Sequence, residues 1–234
     1  MLAVRGAGSG ALAWSPDGQR LAGGDVGGRL HVWELASAPT RAAVLTGKYP
    51  ARLLLTDWLP NGRWDPKSRL RSARFVRSLP LEEITLAEAL REGGYRTASI
   101  GKWHLGLDDD YPALRWHPIN RGFKETYNFM GRGGHDYFKS TGVKGGDDES
   151  APLYRGRERI GFQGYLTTRF SEEAVAFIGR QKTAPFFLYL AYNAVHAPAQ
   201  APPADIDRVR RAHPGLSEAR VILMAMLHHL DLGV

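Results

Sequence analysis

Phe186-Phe-Leu-Tyr-Leu-Ala-Tyr192 is an uninterrupted run of apolar and aromatic residues between Pro185 and Asn193. A strand with one face in water alternates polar and apolar residues, whereas this run has no charged or amide position that would face solvent. The pattern therefore predicts a central strand of a sheet that is covered on both faces. Helices supply such cover, so we expect an α/β fold.

The segments around this run alternate between helix and strand signals. Thr85-Leu-Ala-Glu88 is a capping box, in which the Thr hydroxyl and the Glu carboxylate each bond a backbone N–H at the start of a helix. The region Leu107–Glu158 is rich in loop-forming residues. We predict a strand over Tyr95–Trp103 and helices from about Thr40 to Gly47, from Thr85 to Gly93, from an N-cap at Ser171, and over Arg220–Leu230.

Residues 1–36 have a different pattern, with short apolar segments separated by turn residues. Ser15-Pro-Asp-Gly18 is a strong turn signal because Pro presets the first turn angle and Gly accepts a positive φ. The segment resembles one blade of a WD-repeat propeller, and no second copy follows it. Since propellers close by stacking several blades, we expect a short N-terminal β-meander, a remnant or junction, ahead of a second unit over residues 37–234.

Composition excludes several classes of protein. The chain has 234 residues, 43% of them hydrophobic and 24% charged, which suits a globular core and not a disordered or fibrous protein. It has no Cys, so disulfides, thiolate metal sites and Cys nucleophiles are excluded. The net charge is +7, but no nucleic-acid-binding motif accompanies it, and no apolar run has the length of a membrane span. We therefore expect no nucleic acid and no membrane among the partners.

Three groups of polar side chains stand where open α/β sheets bind ligands, beyond the carboxyl ends of strands. Lys102 and His104 lie at the end of the strand predicted from Tyr95, and His196 follows the central one. Ser37-Ala-Pro-Thr-Arg41 leads into the first helix, whose N-terminal N–H groups favour an anion. Each group alone also has an ordinary structural explanation, as a surface Lys, a core His or a helix cap. Together, the cations, imidazoles and hydroxyl suit a tetrahedral oxyanion.

The same residues carry a resemblance to a known family. Ser37-Ala-Pro-Thr-Arg-Ala-Ala-Val-Leu-Thr-Gly-Lys-Tyr-Pro-Ala-Arg52 resembles the signature of the formylglycine-dependent sulfatases, in which Cys or Ser opens a helix that runs into Leu-Thr-Gly-Lys/Arg-Tyr-Pro. The resemblance spans about residues 37–234 and implies a partial α/β/α sandwich of the alkaline-phosphatase/sulfatase type. Further blocks similar to the family follow in order over Leu79–Gly106, Arg121–Phe123, His135–Phe138, Pro185–Pro198 and His228–Val234.

Ser37 takes the position that this family oxidises after translation to formylglycine. The hydrated aldehyde of that group is the family's nucleophile. Because the chain has no Cys, the resemblance implies the Ser route, with a bacterial formylglycine-generating maturase as a partner. It also implies a sulfuric ester hydrolase that acts on sulfated carbohydrates or aryl sulfate esters.

The resemblance implies a role for each of the remaining site residues. Arg41 matches the residue that holds the formylglycine hydrate, and His104 matches the His that assists it. His196 matches the His beside the leaving-group oxygen, where a general acid is needed. Lys102 and His135 match substrate-binding positions, and Lys102 is the one that contacts a sulfate oxygen.

Calcium is the cofactor that the resemblance implies. The family binds it through the formylglycine oxygens at position 37, an Asp-Asp pair before the signature and an Asp-Asn pair beyond the matched region, and neither pair occurs at the corresponding place here. Because Ca²⁺ takes about six to eight oxygen ligands, we expect an incomplete and poorly active sulfatase. The sheet would also lack the family's first strand, which predicts an open edge along the Phe186 strand.

Two other functions fit parts of the sequence. A phosphodiesterase or phosphonate hydrolase of the same superfamily would use similar chemistry, although the string at Ser37 is of the sulfatase type. A non-catalytic interaction protein would suit the WD-like segment and the missing Asp pairs. The sequence leaves the compartment open, since the family is often periplasmic or secreted whereas Met1–Ala13 is a poor signal peptide.

Overall fold

The computed structural model describes residues 2–5, 12–14, 20–24, 29–34, 38–56, 69, 74–107, 112–131, 136–140, 152–181 and 183–234, with backbone alone before residue 38. The strands are β1 (Leu2–Arg5), β2 (Leu12–Trp14), β3 (Arg20–Gly24), β4 (Arg29–Glu34), β5 (Arg96–Lys102), β6 (Glu125–Phe129), β7 (Lys139–Ser140), β8 (Leu153–Arg155), β9 (Glu158–Ile160), β10 (Phe162–Gln163) and β11 (Phe186–Ala191). The helices are α1 (Ala38–Thr46), α2 (Leu86–Glu92), α3 (Leu166–Arg180), α4 (Pro203–Ala212) and α5 (Glu218–Leu232), with short 3-10 helices at Pro50–Leu53 and Pro118–Asn120.

A mixed sheet in the order β2-β3-β4-β1-β11-β5-β6-β8-β9 runs through the described residues. The strands β11, β5 and β6 are parallel, and the strands outside this trio pair antiparallel. Every residue of β11 is buried, which confirms the central strand that the apolar run predicted. The α/β class inferred from that run is therefore confirmed.

Successive residues of β11 pack into different cores because strand side chains alternate between the two faces of a sheet. On one face Phe186 meets the ring of Phe177 from α3 edge-on, at 5.7 Å between centroids. On the other face Phe187 stacks on Phe123, at 5.8 Å, in the core that also contains residues of α1 and α2. Helices thus cover both faces of the parallel trio.

The expectation of an open edge along β11 is wrong for the described structure. The strand β1 pairs antiparallel with β11, with Leu2 opposite Tyr189, while β5 occupies the other edge. Sheet pairing uses backbone groups, so any extended segment in register can fill such an edge. The strands β1 to β4 therefore extend the sheet, and the division of the chain at residue 37 stays a prediction.

Of the two helix starts predicted from capping residues, one is confirmed and one is wrong. The capping box of α2 is confirmed, since the Thr85 hydroxyl accepts the Glu88 N–H at 3.2 Å and the Glu88 carboxylate accepts the Thr85 N–H at 2.7 Å. The N-cap predicted at Ser171 is wrong, because α3 already begins at Leu166 and Ser171 bonds the Thr167 carbonyl within the helix. No helix among the described residues is both long enough and apolar enough to cross a bilayer.

A side-chain relay joins the three helices that follow the loop-rich region. Thr168 Oγ1 of α3 lies 2.8 Å from His229 Nε2 of α5, and His229 Nδ1 lies 2.7 Å from Asp205 Oδ2 of α4. Asp205 is buried, and Arg208 lies 3.6 Å from its other oxygen. Helix α4 is absent from the helices predicted above, although Pro203 opens it, Asp205 lies in its first turn, and Arg210 and Arg211 lie in its last turn.

Arg121 holds the segment that precedes α2. It is 2% exposed, and its guanidinium donates to the carbonyls of Leu79, Pro80 and Glu83 and lies 3.8 Å from the Glu88 carboxylate. These partners span one turn and the start of one helix. A single buried cation therefore fixes the chain between residues 79 and 88.

We expect Arg121→Met to lower the free energy of unfolding by about 2 to 4 kcal/mol, because it leaves one buried and two part-buried carbonyls without their donor. The measurement is urea unfolding followed by far-UV circular dichroism. Arg180→Met is the matched control, since Arg180 pairs with Glu125 at 2.6 Å where both side chains are about half exposed. The control should cost at most about 1 kcal/mol, and equal losses in the two variants would contradict this account of Arg121.

Candidate active site

The carboxyl ends of β11, β5 and β6 lie side by side at one edge of the sheet. Gly101 of β5 is opposite Ala191 of β11 and Asn128 of β6. The residues that follow these strands therefore begin at the same edge, which is where α/β sheets bind ligands. The structure places Lys102, His104 and the loop that carries His196 along this edge.

Gly101 permits the close approach of β5 and β11. Its φ is +101°, and a side chain at this position would overlap the backbone of Ala191. Only glycine adopts such a conformation without a steric penalty. Lys102 follows Gly101 directly in the chain. Its distance from the loop after β11 therefore depends on having no Cβ atom at position 101.

Arg41 connects α1 to two of these strands. Its Nη1 donates to the Lys102 carbonyl at 2.8 Å and to the Tyr189 hydroxyl at 3.0 Å. The side chain is 4% exposed, and its Nε is buried with no hydrogen-bond partner. The guanidinium therefore retains an unused donor at the edge of the sheet.

Lys102 is a second buried cation beside Arg41. Burial, reinforced by the positive charge of Arg41, lowers the pKa of Lys102 to about 8. Among the described residues, neither cation is paired with a carboxylate. Two like charges that are removed from water in this way are stabilised by a bound anion.

His104 is buried two residues beyond Lys102, with a φ of +57°. Its backbone N–H donates to the Met130 carbonyl at 3.0 Å, which ties it to the end of β6. A Cβ on Gly131 would lie 2.9 Å from the imidazole ring of His104, so glycine at this position makes room for the ring. The sequence placed Gly131 only within the loop-rich region Leu107–Glu158, whereas the structure packs it against a candidate catalytic group.

His196 is exposed on the loop after β11. Its Nδ1 lies 2.7 Å from the Ala197 carbonyl. A carbonyl can only accept a hydrogen bond, so Nδ1 carries a proton and Nε2 is the nitrogen left to act on a substrate.

Ser37 and His135 lie outside the described residues. Helix α1 begins at Ala38, directly after Ser37 in the chain. In the part of the chain that the structure describes, no group of three or more His, Cys, Asp or Glu side chains could hold a metal ion. These residues do not fit the calcium site that the resemblance implied.

The match to known proteins decides the family. A family model for sulfatases matches residues 30–225 of this chain. The chain belongs to the sulfatase family. Nothing in these matches supports a WD-repeat blade at the N-terminus.

Two sulfatase relatives illustrate the similarity. The uncharacterized sulfatase YdeN of Escherichia coli (strain K12) is 33% identical over 190 residues, which are 72% of this chain and 29% of the relative. The N-acetylgalactosamine-6-sulfatase of Canis lupus familiaris is 33% identical over 184 residues, or 70% of this chain and 31% of the relative. The chain thus spans about a third of the length of the curated sulfatases it matches.

Solved sulfatase structures share the fold. Ps i-CgsB in complex with k-i-k-neocarrahexaose is 32% identical, with a TM-score of 0.67 over 84% of this chain and 42% of that chain. A glycosaminoglycan-metabolism sulfatase of Bacteroides thetaiotaomicron, BT33494S-sulf, is 16% identical with a TM-score of 0.59, a likeness of fold alone. The α/β fold of the alkaline-phosphatase/sulfatase type is therefore confirmed.

We expect inorganic sulfate to bind at this edge with an affinity that falls as the pH rises above about 8. Lys102 is positively charged below its pKa of about 8 and neutral above it, whereas sulfate keeps its charge throughout this range. The loss should approach about tenfold per pH unit above the pKa. Isothermal titration calorimetry from about pH 6.5 to about pH 9.5 measures it.

Lys102→Met should weaken sulfate binding and abolish its pH dependence. Lys48→Met is the control, because Lys48 is half exposed just beyond α1 and pairs with Glu83 at 2.6 Å. The control should keep both the affinity and the pH profile of the unaltered protein. A pH-independent affinity in the unaltered protein would show that Lys102 does not bind the anion.

Proposed function

We propose that this chain carries the anion-binding and proton-transfer part of a site that hydrolyses sulfate esters. One observation carries the proposal: Arg41 and Lys102 are both buried at the ligand-binding edge, and neither has a carboxylate partner among the described residues. A sulfate ester is an oxyanion of the kind that such a pair favours. Membership of the sulfatase family supports the same chemistry.

The proposed substrates are sulfated carbohydrates or aryl sulfate esters. Relatives are named N-acetylgalactosamine-6-sulfatase in the dog and arylsulfatase in Hemicentrotus pulcherrimus. The Ps i-CgsB structure holds a neocarrahexaose, which is a carbohydrate. The proposed catalytic unit is residues 37–234, and residues 1–36 precede it as a meander.

In the proposed reaction the cations act on the sulfate side of the ester bond, and His196 acts on the alcohol side. Lys102 would hold a sulfate oxygen, whose negative charge persists through the reaction, and Arg41 would hold the formylglycine hydrate that attacks the sulfur. When the bond between sulfur and the ester oxygen breaks, negative charge develops on the departing alcohol oxygen. Protonated His196 would donate its Nε2 proton to that oxygen, and the products would be an alcohol and sulfate.

Ser37 is the proposed position of the nucleophile, one residue before α1. Oxidised to formylglycine by a maturase, it would supply a hydrated aldehyde, one hydroxyl of which attacks sulfur as the alcohol leaves. The second hydroxyl would then lose its proton, so that the group collapses to the aldehyde and releases sulfate, and water would restore the hydrate. Buried His104 is the candidate to accept the proton released there. His135 is proposed as a further substrate-binding residue.

Calcium stays a proposal for the complete site. Because the described residues offer no group of ligands for it, the oxygen ligands would have to come from elsewhere. We therefore expect this chain alone to show no turnover above background.

The test uses a fusion of this chain to the segments of the relative YdeN that flank the matched region, co-expressed with a maturase. With Ca²⁺ present, we expect turnover of an aryl sulfate and none of the corresponding aryl phosphate. Mass spectrometry of the Ser37 peptide should show the loss of two hydrogens. An unmodified Ser37 together with no turnover of either ester would contradict the proposal, and preferred turnover of the phosphate would favour a phosphodiesterase.

His196→Ala in the same fusion should lower kcat by about 10²- to 10⁴-fold, the range for loss of a general acid. His213→Ala is the matched control, because His213 is exposed at the C-terminal end of α4 and away from the strand ends. The control should keep the rate of the unaltered fusion. Equal rates in the two variants would remove His196 from the mechanism.

A further inference from the structure

The segment between β6 and α3 contains a buried tyrosine that contacts the His196 loop. Tyr137 has no exposed surface. Its hydroxyl donates to the His196 carbonyl at 3.1 Å and accepts the His196 N–H at 3.2 Å. One hydroxyl therefore bonds both backbone groups of the same residue.

Tyr137 is itself fixed from several directions. Its N–H donates to Gln200 Oε1 at 2.8 Å, and its carbonyl accepts the Leu166 N–H at 2.6 Å, at the start of α3. Its ring stacks on that of Tyr165, with centroids 5.7 Å apart and planes 26° apart. The position of the hydroxyl is thus set by the start of α3, by the Tyr165 ring and by Gln200, which lies farther along the loop that carries His196.

The Tyr137 hydroxyl keeps its proton throughout the ordinary pH range. Burial raises its pKa well above that of a free tyrosine, and the hydrogen bond from the His196 backbone offsets this only in part. The bond to the His196 carbonyl needs that proton, because a carbonyl can only accept. The proton that this contact needs is therefore present throughout the ordinary pH range.

His196 needs such an anchor because its side chain is exposed at the end of a strand. Its backbone N–H also bonds the Asn193 carbonyl at 3.0 Å, a local bond that shapes the turn without fixing it to the core. A general acid displaced by about 1 Å can lose about 10²-fold in rate.

We propose that Tyr137 is a positioning residue for His196: its hydroxyl fixes the loop backbone so that His196 Nε2 faces the leaving-group oxygen. The catalytic meaning of this anchor rests on the proposed function, in which His196 is the acid. The anchor itself is a property of the chain that can be measured without turnover.

The test compares two variants that each remove one buried hydroxyl. Tyr137→Phe keeps the buried ring and its stacking but loses both bonds to His196. Tyr165→Phe is the control, because the Tyr165 hydroxyl donates to the Gln200 carbonyl at 2.9 Å, in the same loop but not at His196. Both are made in the full chain.

Hydrogen–deuterium exchange of the full chain gives the first readout. We expect Tyr137→Phe to speed exchange in the peptide over residues 193–198 by about tenfold or more, while peptides from β5 and β11 stay as protected as before. Tyr165→Phe should change residues 193–198 by less than about twofold. Unchanged exchange at 193–198, equal effects in the two variants, or loss of protection throughout the sheet would each overturn the anchor.

Turnover by the sulfatase fusion gives the second readout. Tyr137→Phe should lower kcat about ten- to a hundredfold with KM changed by less than about twofold, and more for esters with poor leaving groups, which depend most on an acid. In a His196→Ala background the same change should cause no further loss, because the residue it acts through is gone. Additive losses, or a loss independent of the leaving group, would overturn the proposal.

The two readouts distinguish a failure of the proposed acid role of His196 from a failure of the proposed Tyr137 anchor. If His196→Ala leaves kcat unchanged while exchange at residues 193–198 responds to Tyr137→Phe, the acid role in the proposed function fails and the anchor stands. If His196→Ala lowers kcat and exchange does not respond, the anchor fails and the acid role stands.

Discussion

The parallel pairing of β11 with β5, and of β5 with β6, is the constraint on which the rest of the structure depends. Parallel strands end at the same edge of a sheet, so the residues that follow them meet without any long loop to bring them together. Burial of β11 on both faces fixes this trio within the core. The glycine at position 101 then lets the two central backbones approach closely. Every candidate catalytic residue that the structure describes is placed by this edge or by α1 packed beside it.

Two positive charges, those of Arg41 and Lys102, lie together at this edge of the sheet. Arg41 and Lys102 are both buried, and burial, followed by the positive charge of Arg41, lowers the pKa of Lys102 to about 8. Arg41 donates hydrogen bonds to the Lys102 carbonyl and the Tyr189 hydroxyl, which hold its guanidinium in place without neutralising its charge. An oxyanion would satisfy both groups at once. Charge that is held in place and that no carboxylate of the described residues neutralises has the form that electrostatic catalysis requires.

Two groups of residues stabilise the site: one contacts the candidate catalytic histidines, and the other ties together the helices and turns around them. Backbone contacts place the histidines: Gly131 lies against the ring of His104, and Tyr137 holds the backbone of His196. Both residues come from the segment after β6. More distant groups, such as Arg121 and the relay between Thr168, His229 and Asp205, tie the helices and turns that carry these elements. A long apparently irregular region therefore contributes both to the core and to the site.

The sequence by itself determined the features that arise from local or periodic signals: the buried strand β11, the capping box of α2, and the polar residues placed just beyond strand ends. These depend on neighbours in the chain, so their residue types are sufficient evidence. Tertiary structure decided what depends on distant partners. Arg41 bonds residues 61 and 148 positions away, and Tyr137 reaches His196 across 59 positions, with no local pattern to announce either contact. The pairing of β1 with β11 escaped prediction for the same reason, since backbone hydrogen bonds between strands carry no side-chain signature. Ser37 and His135 remain predictions of the sequence, because the burial and contacts that would test them belong to the tertiary structure around them.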